Sequence, residues 1–329
     1  MIALRDRHGR TATDLRVSLT DLCNLRCTYC MPAEGLAWMP REEQLTDDEV
    51  VRLVRLGVDR LGIREVRFTG GEPLLRRGLV DIVRRCAHDS AAEFSLTTNG
   101  IGLARQAQAL AEAGLTRVNV SLDTVRRETF RALTLRDRLD DVVAGLAAAA
   151  QAGLAPVKIN AVLVRGVNDD QASELLSWCL ERDYHLRFIE QMPLDAQQGW
   201  RRSEMVTAAE IRERLSLTHV LTPAPGERGS APADLWTVDG GPGTVGVIAS
   251  VTEPFCGACD RVRLTADGQV RNCLFSTTES DLRSALRSGA DDARIAELWA
   301  AAVASKLPGH GINDPTFLQP PRPMSAIGG

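Results

Sequence analysis

The sequence predicts an α/β protein built on a parallel sheet, and three observations predict it. Strand-like and helix-like segments alternate through the first two-thirds of the 329 residues. Polar clusters sit just after the strands. The alternation then stops near residue 192. Alternation of this kind calls for parallel strands joined by right-handed helical crossovers.

Residues 14–20 read as the first strand. Residues 46–60 read as a helix, with Thr46 as N-cap and Glu49 closing a capping box. Strand 65–69 precedes helix 76–87, and strand 93–97 precedes helix 103–113, which Gly114 ends. Strand 117–121 precedes an Ala-rich helix over 139–152, ended by Gly153. Strand 157–164, helix 171–181 and strand 186–190 complete six units. Six units can wind doubly into an open sheet or curl into a partial barrel, and periodicity does not choose. In either form the loops after the strands converge on one mouth, where parallel α/β proteins place their active sites. Those loops carry Gly70-Gly71-Glu72, Thr97-Thr98-Asn99, Ser121 to Asp123 and Glu190-Gln191-Met192.

Past residue 192 a helix is expected over 207–215, loop and turn over the Pro- and Gly-rich 223–243, and short strands over 244–275. Helices over 281–287 and 291–305 precede an irregular tail, 307–329. The expected organisation is a core of residues 1–192 and a C-terminal region of residues 193–329.

Hydrophobic residues make up 44% and charged residues 25%, as in a protein with a real core. A net charge of −4 gives no general basic surface for nucleic acid. The N-terminus lacks a signal-peptide pattern, and no apolar run suits a bilayer, so neither nucleic acid nor membrane is expected as a partner. Eight cysteines in such a chain point to a reducing cytoplasm and to metal rather than disulfides. Only two of the 39 cationic residues are lysines, Lys158 and Lys306. Chance explains that bias as readily as function does.

Cys23, Cys27 and Cys30 form C-x3-C-x2-C. Three thiolates on a short loop can hold three irons of a four-iron cluster and leave the fourth open to a small molecule. A structural zinc site wants four ligands, and no further His or Cys follows at knuckle spacing. The spacing is similar to that of radical S-adenosylmethionine enzymes, whose open iron chelates the cofactor's amino and carboxylate groups.

Cys256, Cys259 and Cys273 form a second group, C-x2-C-x13-C, next to Arg261-Val262-Arg263. A second cluster is one reading, and zinc completed by a distant residue such as His310 is the other. Arg261 and Arg263 lie two apart, so on a strand they share a side. Paired guanidiniums suit a phosphate-bearing anion, while solvated edge arginines are the plain alternative. Cys86 and Cys179 fall in helical segments with apolar neighbours and read as buried thiols.

Both triads, the Arg-Val-Arg and the terminal Gly328-Gly329 together resemble the GTP 3′,8-cyclase family, from about Leu15 to the end. That family consists of radical S-adenosylmethionine enzymes that begin molybdenum cofactor biosynthesis. The resemblance implies an incomplete TIM-type barrel of six strand–helix units with a C-terminal cluster-binding region. It implies two [4Fe-4S] clusters, one on each triad, and S-adenosylmethionine on the first. Gly70-Gly71-Glu72-Pro73 matches the family's GGEP motif, with Gly71 admitting the cofactor's methionine end and Glu72 accepting from its ammonium. Tyr29, Ser121 and Met192 fall where the family contacts adenine and sugar. Arg16, Arg67, Thr97, Lys158, Arg261 and Arg263 fall where it surrounds GTP. Arg261 and Arg263 are also implied in proton or charge delivery. Gly328 and Gly329 would reach into the active site, where a side chain would not fit. A disordered end is the alternative for the tail.

The implied reaction starts with reductive cleavage of S-adenosylmethionine. The 5′-deoxyadenosyl radical takes H3′ from GTP, C3′ attacks C8, and reduction with protonation gives 3′,8-cyclo-7,8-dihydro-GTP. An external electron donor, a homodimer and a downstream cyclic pyranopterin synthase are implied as partners. Two rivals differ in class. One is a peptide-modifying radical enzyme. The other is a two-cluster electron carrier in which Cys86 or Cys179 completes the ligation.

Overall fold

The structure is a computed structural model that describes residues 2–328. The core runs β1 (Asp14–Ser18), α1 (Asp47–Leu61), β2 (Glu65–Thr69), α2 (Leu79–Ala87), β3 (Glu93–Thr98) and α3 (Leu103–Glu112). It continues with β4 (Arg117–Ser121), α4 (Arg127–Thr134), α5 (Leu139–Gln151), β5 (Val157–Val162), α6 (Ala172–Leu180) and β6 (His185–Ile189). Then come α7 (Ala208–Ser216), β7 (Leu221–Pro223), β8 (Asp234–Val238), β9 (Thr244–Ile248), β10 (Arg261–Leu264), β11 (Gln269–Arg271) and β12 (Ser280–Asp281). Helices α8 (Arg283–Arg287), α9 (Asp292–Ala304) and α10 (Met324–Ile327) finish the chain.

All twelve strands share one sheet, in the order β12-β11-β10-β1-β2-β3-β4-β5-β6-β9-β8-β7. The six core strands are mutually parallel. The C-terminal region lengthens that run at both edges, because β10 pairs parallel with β1 and β9 pairs parallel with β6. The two outermost strands, β12 and β7, lie at opposite ends of the order, so the barrel stays open.

Period-two alternation sorts each strand into an outer apolar face and an inner polar one. Leu15 and Val17 on β1, and Val66 and Phe68 on β2, are fully buried beneath the helices. Each such side chain contributes about 1.5–3 kcal/mol when withdrawn from water. Their neighbours Arg16 and Arg67 therefore point inward. Register places Arg16 beside Arg263 on one side and beside Arg67 on the other.

Helix α1 has the capping box read from the sequence, with the Thr46 side chain accepting from Glu49 N–H and Glu49 returning to Thr46 N–H. Other elements differ from expectation. Helix α2 begins at Leu79 because residues 73–75 form a 3₁₀ turn first. Helix α4 was not foreseen. Strand β8 lies inside the stretch expected to be loop, where it pairs antiparallel with β9. Only five residues long and flanked by Pro and Gly, it offered no periodicity to read. The tail ends in α10, with Ser325 and Ile327 buried. A small apolar cluster of Leu194, Met205, Val251, Phe275, Ile312 and Ile327 fastens it down.

Candidate active site

The first cysteine loop follows β1. Its backbone is braced from two sides. Gly71 N–H donates to Thr20 O at 2.7 Å and Glu72 N–H to Leu22 O at 2.6 Å. Arg26 and Thr28 N–H donate to the carbonyls of Thr134 and Leu133 at the end of α4. A Cβ on Gly71 would stand 2.3 Å from both Asp21 O and Leu22 O, so only glycine lets the two loops meet. Gly71 thus presses on the cysteine loop, and neither it nor Glu72 lines the cavity described below.

Glu72 is fully buried. Its carboxylate accepts from Leu74 N–H (2.9 Å), Thr98 Oγ1 (2.7 Å) and Asn99 N–H (2.7 Å). Burial pushes its pKa up to about 7 against the pull of those donors. Three donors from the protein thus reach its oxygens, and a carboxylate keeps acceptor capacity for one more.

One cavity of about 290 Å³ lies at the mouth of the barrel. Cys30 reaches it from the first triad, and all three members of the second triad line it. Cys23 and Cys27 are set back against the hydrophobic core. Tyr29, Ser121 and Met192 line the cavity beside Cys30. Tyr29 donates its hydroxyl to Asp123 Oδ2 at 2.7 Å, and burial raises the Asp123 pKa to about 6.

Arg16, Arg67, Thr97, Arg261 and Arg263 line the same cavity. So does Arg187, which the sequence reading did not single out. Across neighbouring strands about 4.8 Å apart, Arg263, Arg16 and Arg67 stand in one row, a like-charge arrangement that is destabilising on its own. Asp14 is the carboxylate among them, 3.4 Å from Arg16. Burial alone would raise its pKa, but Arg16, Arg67, Arg261 and Arg263 together hold it below the usual value.

The cations show the reverse strain. Burial, reinforced by Arg16, brings Arg263 down to about 9 and takes Arg67 well below its ordinary range. Arg187 falls to about 10 for the same two reasons, although it donates to Asn160 and Asn119. Arg16 Nε is buried without a partner among the described residues. Lys158 lies outside the cavity lining, two residues before Asn160, which lines it. Burial and the nearby Arg187, Arg117 and Arg67 lower its pKa to about 8.

The second triad sits around β10 and β11. Cys256 and Cys259 flank a 3₁₀ turn in which Cys259 N–H donates to Cys256 O at 3.2 Å. Arg10 Nη1 donates to Cys256 O at 2.7 Å, and Lys306 Nζ lies 3.3 Å from Cys259 Sγ. His310 also lines the cavity, its ring tilted by 50° against that of Phe275 with centroids 4.8 Å apart. No three His, Cys, Asp or Glu side chains among the described residues close at single-ion spacing. A cluster ligated through separate irons spans more room than one ion, so three half-buried free thiols on each loop suit the cluster reading.

Gly328 O accepts from Arg263 Nη1. Its φ is +79°, and a Cβ there would come within 2.7 Å of Thr69 Cγ2. Gly328 thus requires glycine at the inner wall of the barrel, while Gly329 lies outside the described residues. Cys86 and Cys179 are buried in α2 and α6, within the hydrophobic core and away from both triads. The electron-carrier rival needed one of them as a ligand.

Residues 17–179 match the radical SAM superfamily, and residues 184–312 match Molybdenum Cofactor Synthesis C. The GTP 3′,8-cyclase of Streptomyces coelicolor is 65% identical over 329 residues, covering 99% of this chain and 96% of that protein. That of Corynebacterium glutamicum is 57% identical over 336 residues, covering 99% and 89%. Among solved structures, Streptococcus suis SuiB superposes with a TM-score of 0.62 at 14% identity, over 93% of this chain and 68% of that one. At that identity the likeness concerns the fold, an open α/β barrel. Identity above one half over nearly the full length settles the family: this chain belongs to the GTP 3′,8-cyclases of the radical S-adenosylmethionine superfamily.

Proposed function

We infer that this chain converts GTP to 3′,8-cyclo-7,8-dihydro-GTP, the first step of molybdenum cofactor biosynthesis. The observation that carries the reading is the buried, undercompensated row Arg263–Arg16–Arg67, with Arg187 and Arg261 beside it, in a cavity flanked by two thiol triads. Buried charge without a partner is costly. A triphosphate supplies that partner, and a neutral peptide does not.

Cys23, Cys27 and Cys30 would hold the first cluster, and Cys256, Cys259 and Cys273 the second. With S-adenosylmethionine bound, that first cluster would supply the one-electron chemistry that generates the radical for removal of H3′. Tyr29, held by Asp123, with Ser121 and Met192, would seat the adenosyl part. Gly71 and Glu72 act one step back, by fixing the cysteine loop. Arg16, Arg67, Thr97, Arg187, Arg261 and Arg263 would grip the nucleotide. Lys158, outside the lining, would add positive field without direct contact.

Arg263 also holds the end of the tail through Gly328 O, and with Arg261 it would help deliver charge or a proton when the product radical is reduced. The buried Gly328, with the terminal Gly329 after it, would exclude water. In this reading residues 1–192 form the cofactor-binding core and residues 193–329 the substrate-side region. An external one-electron donor, a homodimeric assembly, a cytoplasmic location and a downstream cyclic pyranopterin synthase belong to the same reading. No helix among the described residues is long and apolar enough to cross a membrane.

The test is anaerobic turnover of reconstituted protein with dithionite, S-adenosylmethionine and GTP deuterated at C3′. Deuterium should appear in 5′-deoxyadenosine, in amounts that depend on GTP. Unlabelled or GTP-independent 5′-deoxyadenosine, from protein with both clusters intact, would remove GTP as the substrate.

A further inference from the structure

Lys306 follows α9 and is one of only two lysines in the chain. Its side chain is buried, with 5% of the residue exposed. The ammonium has three protons to give. Nζ lies 2.8 Å from Arg261 O, 3.2 Å from Cys259 O and 3.3 Å from Cys259 Sγ. All three partners belong to the second cysteine loop, and no carboxylate accepts from it among the described residues. Arg10, on the same loop through Cys256 O, differs because Asp6 neutralises it at 2.5 Å. A buried ammonium with only two carbonyls and one sulfur around it, and no carboxylate, is expensive. A thiolate-bound cluster supplies the missing negative charge.

We propose that Lys306 is a positioning residue that sets the reduction potential of the second cluster, by an N–H···S bond to Cys259 and by its fixed positive charge. Hydrogen bonds to the sulfurs and local charge are the protein's means of moving a cluster potential. Reduction adds negative charge, so the ammonium favours the reduced state and raises the potential. Lysine suits the place because its three protons converge on three acceptors from a single atom. The planar fork of arginine spreads its donors apart. Lys306 does not line the cavity, so its effect reaches GTP through the cluster and not through contact.

The inference rests on the second triad's holding a cluster. The experiment is an anaerobic, EPR-monitored redox titration of the two-cluster holoenzyme. The second signal is assigned by its absence from a Cys256→Ala/Cys259→Ala/Cys273→Ala variant. Lys306→Met should shift the second midpoint to lower potential and leave the first unchanged, at wild-type iron content. Lys306→Gln, which keeps a donor and loses the charge, should fall between. Lys306→Arg should restore most of the potential.

A wild-type midpoint in a cluster-replete Lys306→Met protein would overturn the proposal. If Lys306→Met fails to hold the second cluster, a wild-type midpoint in Lys306→Gln does the same. Loss of the second cluster from all three variants, with the first retained, would also overturn it and leave Lys306 as a loop brace. Wild-type protein with iron and EPR signal for a single cluster would instead overturn the two-cluster reading beneath it.

Discussion

Around Cys23, Cys27 and Cys30 the supports are mostly backbone groups and uncharged side chains, although Arg26 donates to Cys23 O at 2.8 Å from within the loop. The glycine loop, the carbonyl end of α4 and Asn99 do the holding. Around Cys256 and Cys259 the supports are cations, Arg10 and Lys306, with Arg261 and Arg263 on the adjoining strand. The acidic residues near the first loop, Glu72 and Asp123, have raised pKa values, and Arg263, Arg67 and Arg187 on the inner wall have lowered ones. The barrel mouth is thus divided by charge. A zwitterionic cofactor fits the near-neutral side, where its own amino and carboxylate groups supply both signs. A polyanion fits the cationic side.

The largest expected effect breaks that division directly. Arg16→Ala/Arg263→Ala should weaken GTP binding at least about 100-fold, taking about 1.5–3 kcal/mol for each charged hydrogen bond lost. S-adenosylmethionine binding should change little, and anaerobic equilibrium dialysis with each ligand distinguishes the two. Equal loss of both ligands would show that the mouth is not divided.

Next, Gly71→Ala should act on the first side alone. The inserted methyl group overlaps two carbonyls and costs about 1–3 kcal/mol of local packing. Iron analysis with EPR should show the first cluster depleted and the second retained.

A pH series sharpens the contrast. Glu72 and Asp123 have folded pKa values of about 7 and about 6, above the ordinary 4.5 and 3.8 of the unfolded chain. The folded state binds more protons there, so stability should fall as pH rises from about 4 to about 7. Lys158 has the opposite sign, with about 8 in the fold against 10.5. The unfolded state binds more protons in that window, so stability should rise from about pH 8 to about 10.5. Urea midpoints of cluster-free protein give the first slope, which Glu72→Gln/Asp123→Asn should flatten. Lys158→Met should flatten the second.

The smallest effect is expected from Cys86→Ala/Cys179→Ala. These substitutions should cost on the order of 1 kcal/mol each in packing and leave iron content unchanged. Loss of iron would revive a ligand role for one of them.

Six strand–helix units, the capping box at Thr46 and both thiol triads were legible because each is a local pattern in the chain. The inner row of arginines was partly legible, since alternation on β1, β2 and β10 predicts which side chains share a face. Which arginine stands beside which was not, because register between β10 and β1 is a long-range property. Arg187 escaped notice for the same reason: it is one cation among 39 until the sheet places it in the cavity. Helix α4 was obscured by its brevity and its charged surface, yet its last carbonyls steady the first cysteine loop. Glu72 shows what motif reading leaves out, because only the fold reveals that its oxygens also tie Leu74, Thr98 and Asn99 together.

The pairing of β10 with β1 also sets a timetable for synthesis. Thr13 Oγ1 donates to Asp260 at the head of those two strands, across 247 residues of chain. A ribosome delivers β1 and the first cysteine loop early, and β1 gains its last neighbour only when four-fifths of the protein has emerged. Long-range pairing of this kind is slow, and an unpaired edge invites aggregation while it waits. Cells lacking chaperone capacity, or alleles truncated before β10, would therefore accumulate a chain that has its first thiol triad but leaves a strand edge exposed.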